Sequence, residues 1–219
     1  VFAGELGARL SGGEPGRDED IFDAWCEHLV VRDRDSGQVI GTYRLLIAER
    51  AARLGTFYAD TEFDLTRLAH LKSRMVEIGR ACVDPAYRDG AALRLLWQGI
   101  AAFMQQRRYD YLIGCASIGM QDGGGNALRV YEALAPRHLA PIEYRVFPRH
   151  PMLPPDTPTP ITVPLEAHVP ALLRGYLRLG AWIGGEPAWD PDFNTADLFV
   201  LMPLARMAPR FARHYRGAA

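Results

Sequence analysis

The chain predicts an α/β fold on three observations: a hairpin signal in its first quarter, a strand, turn and helix in succession at its middle, and a return to strand pattern before its end. Its 219 residues suit one such domain with a substantial core. Glu27 to Arg32 and Val39 to Ala48 are rich in apolar and β-branched residues and flank Asp35-Ser36-Gly37-Gln38, which predicts the hairpin. Met75 to Val83 predicts a third strand, which Asp84-Pro85 ends because proline brings no ladder donor and restricts the residue before it. Beyond Gly90 the period changes. Leu93, Leu96, Trp97, Ile100, Phe103 and Met104 recur at steps of three and four, the spacing of one helix face.

Tyr109 to Ser117 predicts a buried strand, and the loop Gly119 to Gly125 leads into a helix from Asn126 to Leu134. This β-α-β-α order requires a crossover connection. Ile142 to Phe147 predicts a strand. The proline-rich stretch Pro148 to Pro164 cannot form regular ladders and reads as a linker or surface loop, opening an insertion over 148–197 within a single domain. Within it Leu172, Leu173, Tyr176, Leu177 and Ile183 mark a helix and Gly184 to Asp197 a loop, after which Leu198 to Leu201 is a last strand. Val1-Phe2-Ala3-Gly4 reads as the interior of a domain already under way, so a preceding amino-terminal segment is expected.

Composition excludes several functions. Apolar residues at 48%, charged residues at 23% and a formal net charge of -1 are ordinary for a globular protein and give no global attraction to nucleic acid. Lysine occurs once, at Lys72, and arginine supplies the other positive side chains, the signature of a GC-rich genome. Cys26, Cys82 and Cys115 are widely spaced and odd in number, which fits a reducing cytoplasm better than a disulfide framework or a zinc site. No apolar run approaches the ~20 residues that cross a bilayer. The six histidines lack metal-ligand spacing. Asp190-Pro191-Asp192-Phe193-Asn194 lacks the glycine and glutamate that complete a calcium loop, having Thr195 and Leu201 there instead. No metal is therefore expected.

Glu77 and Arg80 stand three residues apart on a predicted central strand, where ionised side chains are costly unless paired or functional. Simple alternation puts them on opposite faces, and a β-bulge at Gly79 would re-aim one of them and open the sheet beside a ligand. A structural ion pair is the alternative. The turn Arg88-Asp89-Gly90-Ala91-Ala92 follows, with small residues and the first amides of a helix, a combination able to meet a phosphate, although most such turns bind nothing. From Arg206 to Arg216 run four arginines and His214 with no acid after Asp197, either a solvated face or a docking surface for an acidic protein or anionic lipid.

Nearly the whole chain resembles the acyl-carrier-protein-dependent N-acyltransferases that make ornithine lipids, relatives of acylhomoserine lactone synthases and N-acyl amino acid synthases. The likeness rests on Val1-Phe2 and Glu5-Leu6-Gly7, Asp20-Ile21-Phe22-Asp23, Val39 to Leu46 with Arg44, Glu77-Ile78-Gly79-Arg80, Tyr176 to Ala181, and Pro187 to Asp197. It implies a GNAT-like acyl-CoA N-acyltransferase fold, a central mixed sheet flanked by helices, with a thioester in a cleft between two central strands. It implies a bacterial enzyme that moves a (3-hydroxy)fatty acyl group from acyl carrier protein to the α-amino group of L-ornithine, giving lyso-ornithine lipid. It also implies no permanently bound cofactor, with the carrier's acyl-phosphopantetheine as donor.

By that resemblance the catalytic candidates are Glu77 as base, Arg44 and Arg80 as partners of acids or of the amino-acid carboxylate, and Tyr131 as acid for the leaving thiolate. Cys82, Val83, Arg88, Gly90, Ala91, Ala92, Ser117, Asp192 and Asn194 are candidates for binding pantetheine or substrate. Arg88 and Gly90 are one residue apart, where acetyl-CoA enzymes of this type place two, a departure that favours a carrier-protein donor. The expected location is the cytoplasm, with peripheral contact at the inner membrane through the basic carboxy terminus. Another amine acceptor, a lactone synthase, or a non-catalytic module docking on carrier protein or membrane are the alternatives.

Overall fold

The computed structural model describes residues 4, 5, 7, 17–152 and 169–207. The opening Val1-Phe2, most of the polar stretch after Ser11, the body of the proline-rich stretch and the basic run beyond Met207 lie outside the described residues. The hairpin forms where the sequence puts it, as β1 (Glu27–Arg32) and β2 (Val39–Ile47), paired antiparallel. Asp33 holds its turn, accepting from the amides of Asp35 and Ser36.

Between this hairpin and the next long strand the chain is helical, a region whose short elements carry no sequence periodicity. It forms α1 (Ala48–Leu54), ended by left-handed Gly55, then α2 (Ala59–Glu62), the short β3 (Phe63–Asp64) and a 3-10 segment over Thr66–Arg74. β4 (Met75–Val83) matches its expected bounds, α3 (Ala91–Arg107) starts just after Gly90 and spans the apolar positions from Leu93 to Met104, and β5 follows at Tyr111–Gly119, two residues later than periodicity places it. α4 (Gly125–His138) runs past the expected end at Leu134.

Ile142 to Phe147 is not a strand. Ile142–Tyr144 is a 3-10 turn after Pro141, and the short β6 (Phe147–Pro148) pairs with β3. α5 (Ala171–Leu179) ends at left-handed Gly180. The expected loop Gly184 to Asp197 instead contributes to the sheet: after β7 (Trp182–Ile183) comes β8 (Ala188–Asp190), and β9 starts at Thr195 and reaches Pro203. All nine residues of β9 are buried, so this strand carries no period-2 alternation and a run of four apolar residues understates it.

Among the described residues the main sheet has seven strands in the order β1-β2-β4-β5-β9-β7, with β8 also on β9. Pairing is antiparallel except between β4 and β5, which α3 connects. One face, with Tyr43, Leu45, Ile78, Ala116 and Leu198, packs under α3, α4 and α5. The other, with Leu46, Met75, Ile113, Phe199 and Leu201, packs under α2 and the Thr66–Arg74 segment. None of the described helices is long and apolar enough to cross a membrane.

The parallel pair is short. Met75, Val76 and Glu77 pair with Tyr111, Leu112 and Ile113; beyond that point β4 pairs with β2 and β5 with β9, and the two strands part. Gly114 sits at the parting, where a Cβ would meet the Ile78 carbonyl oxygen at 2.5 Å. Both groups are backbone of central strands, so neither can yield. Gly114→Ala is expected to destabilise the fold by about 2 kcal/mol, the range of core overpacking, measured as a shift in urea midpoint at unchanged m-value. An unshifted midpoint would mean that the strands can separate further at no cost.

Candidate active site

Where β4 and β5 part, a cavity of about 160 Å³ opens through the sheet. Its walls include Tyr43, Arg44, Glu77, Gly79, Arg80 and Ala81 from β2 and β4, Cys115 and Ser117 from β5, and Tyr176 from α5. Its floor is a bulge. Thr42 pairs with Cys82 but Arg44 pairs with Gly79, so Tyr43 alone opposes Arg80 and Ala81. The left-handed residue is Arg80, at φ 49°, and not the glycine before it. The expected bulge is therefore present one residue later than Gly79, and the extra residue brings Glu77 and Arg80 to the same cavity.

A non-glycine residue held at positive φ costs of order 1 kcal/mol and persists only where its surroundings demand it. Here the demand is electrostatic. Arg80 donates from Nε to Asp18 Oδ2 at 2.9 Å and from Nη2 to Asp20 Oδ2 at 3.0 Å. Its guanidinium lies 4.3 Å from the Phe193 ring centroid and 5.4 Å from that of Tyr58. Arg44, 5% exposed, donates from Nη1 to Asp20 Oδ1 at 2.6 Å and to Asp23 Oδ1 at 3.0 Å. Burial opposes its charge, yet these carboxylates outweigh burial and its pKa rises. Asp20 thus joins both arginines and ties the segment before β1 across β2 and β4.

Glu77 is 4% exposed. Its Oε2 accepts from the Tyr58 amide and its Oε1 from the Ala59 amide, both at 2.7 Å, so it satisfies the first donors of α2. Burial pushes its pKa up to about 7, while those two amides and Arg44 hold it from rising further. Tyr58 gathers several of these parts: its amide serves Glu77, its ring lies under Arg80, and its hydroxyl donates to Asp190 Oδ2 at 3.1 Å.

A second group of acids closes the same side of the sheet. Asp190, 4% exposed, accepts at Oδ1 from the amides of Asp192 and Phe193. Asp197, 2% exposed, accepts from the hydroxyls of Thr195 and Ser117, and burial raises its pKa to about 6, helped by Asp190. Glu62 at the end of α2 has its pKa raised to about 7 by burial and then by Asp190 and Asp197, and its Oε2 is buried with no hydrogen-bond partner among the described residues. Burial likewise pushes the cavity thiols up, Cys26 to about 12 and Cys115 well above its ordinary value, so neither is a thiolate nucleophile.

Of the candidates read from the sequence, the structure brings Arg44, Glu77, Arg80 and Ser117 to the cavity. Tyr131 is half-buried on α4 and does not line it; the tyrosines that do are Tyr43, Tyr58 and Tyr176. Asp192 and Asn194 occupy the tight turn between β8 and β9, with Asn194 at φ 52° and Asp192 exposed, and Asp190 and Asp197 on the flanking strands face inward instead. Cys82 and Val83 finish β4 against β2, away from the cavity wall. Gly90 adopts φ 95° ahead of α3, and the Asp89 side chain accepts from the Ala91 amide; Ala92 is buried against the core. Arg88 donates to both carboxylate oxygens of Glu5. Sequence reading missed Tyr58, Glu62 and the inward-facing acids. The signal for Asp190 and Asp197 was their place either side of a four-residue hairpin turn.

A mixed sheet with one parallel pair that splays open around a bulge, and a carboxylate at the opening, defines an acyltransferase of the GNAT type. Residues 1–98 match the family model described as an acetyltransferase (GNAT) domain. The chain is 37% identical to the L-ornithine N(alpha)-acyltransferase of Agrobacterium fabrum (strain C58), with 100% of this chain and 79% of that protein covered. It is 35% identical to the enzyme of that name from Brucella abortus (strain 2308), covering 100% and 82%. The chain belongs to the L-ornithine N(alpha)-acyltransferase family. Among solved structures, the CoA-dependent acyl-homoserine lactone synthase MesI superposes with a TM-score of 0.48 at 11% identity, over 96% of this chain and 79% of that one. A second such synthase, BjaI, gives 0.46 at 14% identity over 87% of this chain and 65% of that one.

The Asp20 junction predicts a stability difference. Asp20→Ala leaves two largely buried guanidinium groups with one carboxylate each, Asp23 for Arg44 and Asp18 for Arg80, and should cost about 2 kcal/mol by urea denaturation. Glu27→Ala removes the partner of Arg50 in a pair whose side chains are 35% and 39% exposed, and should cost under about 1 kcal/mol. Equal costs would show that Asp20 does not organise the site.

Proposed function

We propose that the chain moves a (3-hydroxy)fatty acyl group from acyl carrier protein to the α-amino group of L-ornithine, giving lyso-ornithine lipid. The names of its relatives support that acceptor, and the observation that carries it here is the excess of buried acid on the α2 side of the cavity. Asp190 raises the cost of ionising Asp197, and both raise that of Glu62; a diamino acid brings a second ammonium that would relieve it. Arg44 or Arg80 can meet the amino-acid carboxylate through a guanidinium fork.

Glu77 is the proposed base. The α-ammonium passes a proton to its carboxylate, directly or through a water; the freed amine attacks the thioester carbonyl carbon; the oxyanion takes hydrogen bonds from amides at the bulge; and the C–S bond breaks as the nitrogen's surplus proton passes to the leaving sulfur, releasing the carrier's pantetheine thiol. Arg88 is engaged with Glu5 and stands in a turn one residue shorter than that of acetyl-CoA enzymes, which supports a donor recognised through its protein and not through a nucleotide. The arginines from Arg206 to Arg216 carry charge complementary to an acidic carrier protein or to anionic lipid, and would allow peripheral contact at the inner membrane.

Mixing the protein with 3-hydroxyacyl carrier protein and ornithine should release carrier thiol, and replacing ornithine by a neutral amino acid of equal length should not. Equal rates with both would refute the acceptor. Asp190→Asn and Asp197→Asn should raise KM for ornithine about tenfold, the loss of one charge-assisted hydrogen bond, with a smaller effect on kcat.

Two opposite pH trends should follow from Glu77. A base must be ionised, so kcat/KM should rise through about pH 7 and lose that limb in Glu77→Gln. Stability should run the other way. With a folded pKa of about 7 against an ordinary 4.5, the fold holds this proton more tightly than the unfolded chain, so Glu77's contribution falls as pH rises across that window. Glu77→Gln also sets an NH2 against one of two amide donors, and should lower stability by about 1–3 kcal/mol near pH 7. A pH–rate profile unchanged by Glu77→Gln would remove Glu77 from the chemistry.

A further inference from the structure

The two sides of the cavity differ in kind. On the α2 side the wall is acidic; on the α3 side it is apolar and aromatic, with Ile78, Leu172, Tyr43 and Tyr176. Within that apolar wall Tyr43 and Tyr176 bring their hydroxyls together at 3.0 Å, and they are 1% and 5% exposed. Trp97 braces both rings edge-on, at 6.4 Å from Tyr43 and 5.2 Å from Tyr176. Either hydroxyl can donate to the other, but only one of the two phenolic hydrogens is used in doing so. The second has no acceptor among the described residues. Burial pushes both phenols further from ionisation, so at neutral pH the pair keeps both hydrogens.

A buried donor left over in an apolar wall is costly, and the wall could hold two phenylalanines with the same shape. The pair's position shows what it could serve. Tyr43 is the single β2 residue opposite the Arg80–Ala81 bulge, so its side chain leaves the sheet one strand from the amides assigned to the thioester oxyanion. We propose that the Tyr43–Tyr176 hydroxyl pair reads a hydroxyl group carried on the acyl chain close to its thioester, Tyr176 or Tyr43 donating to the substrate oxygen and the other tyrosine fixing the donor's direction. The pair would then determine donor specificity, favouring a hydroxylated acyl chain over a plain one. This rests on the acyl-transfer reading but not on the identity of the amine.

The experiment measures donor binding without any acceptor. Soluble 3-hydroxyacyl-pantetheine and the plain acyl-pantetheine of equal chain length are titrated into the whole protein, and their Kd ratio is compared across wild type, Tyr176→Phe, Tyr43→Phe and the double variant. Wild type should bind the hydroxylated thioester about tenfold more tightly, the worth of one well-formed hydrogen bond to a buried group. The double variant, which removes both polar groups and leaves none stranded, should bind the two donors alike while keeping its affinity for the plain one. Equal affinity for both donors in wild type, or an unchanged ratio in the double variant, overturns the proposal. A preserved ratio change together with no turnover on ornithine would overturn the acceptor and support the tyrosine pair.

Discussion

The parting of β4 from β5 after three paired residues is the constraint on which the rest of the site depends. Up to Glu77 and Ile113 the two strands share a ladder; beyond it each must find its hydrogen bonds elsewhere, β4 with β2 and β5 with β9. That arrangement leaves a slot in the middle of a sheet, which is tolerable because neither edge is left without a partner on its other side. The bulge at Arg80–Ala81 widens it and turns backbone toward it. A central sheet can therefore pass a long substrate from one face to the other without being unravelled at an edge.

Charge then divides the two faces. On the α2 side, alternate residues of β2, β4 and β9 give Arg44, Glu77 and Asp197, and the chain supplies three further acids before β1 to hold the arginines. On the α3 side the intervening residues, Tyr43, Ile78 and Leu198, are apolar or aromatic. The period-2 alternation of strands is used here to put polar chemistry and hydrocarbon on opposite sides of one slot. A reaction joining a charged amino acid to a fatty chain needs that separation, since each reactant would pay heavily for the other's surroundings.

Much of this was legible in the sequence. β1, β2, β4 and α3 fall where apolar β-branched runs, turn residues and helical period place them; β1 and α3 keep an open face, while β2 and β4, buried on both, are marked by their apolar runs and the turns that bound them. The errors have physical causes. β9 is buried on both faces, so its first residues, Asp197 included, lacked a period and read as loop. Ile142 to Phe147 has β-branched and aromatic residues, but Pro141 directs it into a turn. Glu77 was visible as a costly charge on a central strand, whereas its cap on α2 was not, since α2 is one turn long and nineteen or fewer residues away with no motif of its own. Tyr131 was carried by resemblance, and on α4 it stands outside the cavity lining. Tyr176 reaches the cavity from a helix whose placement no local pattern encodes.

The same all-buried β9 has a consequence for how the protein comes to exist. It lies between β5 on one side and β7 and β8 on the other, holds Asp197, and is the last strand described, so the β5 wall of the slot gains its backing only after the other described strands have been made. Its partners in β5 are some eighty residues earlier, and such distant pairings form late because the intervening loop must first be closed. During synthesis on the ribosome the earlier strands wait with the free edge of β5 uncovered, an edge made of Leu112, Ile113 and Ile118. A chain at that stage presents an unpaired strand edge, the kind of feature that makes incompletely folded proteins prone to associate.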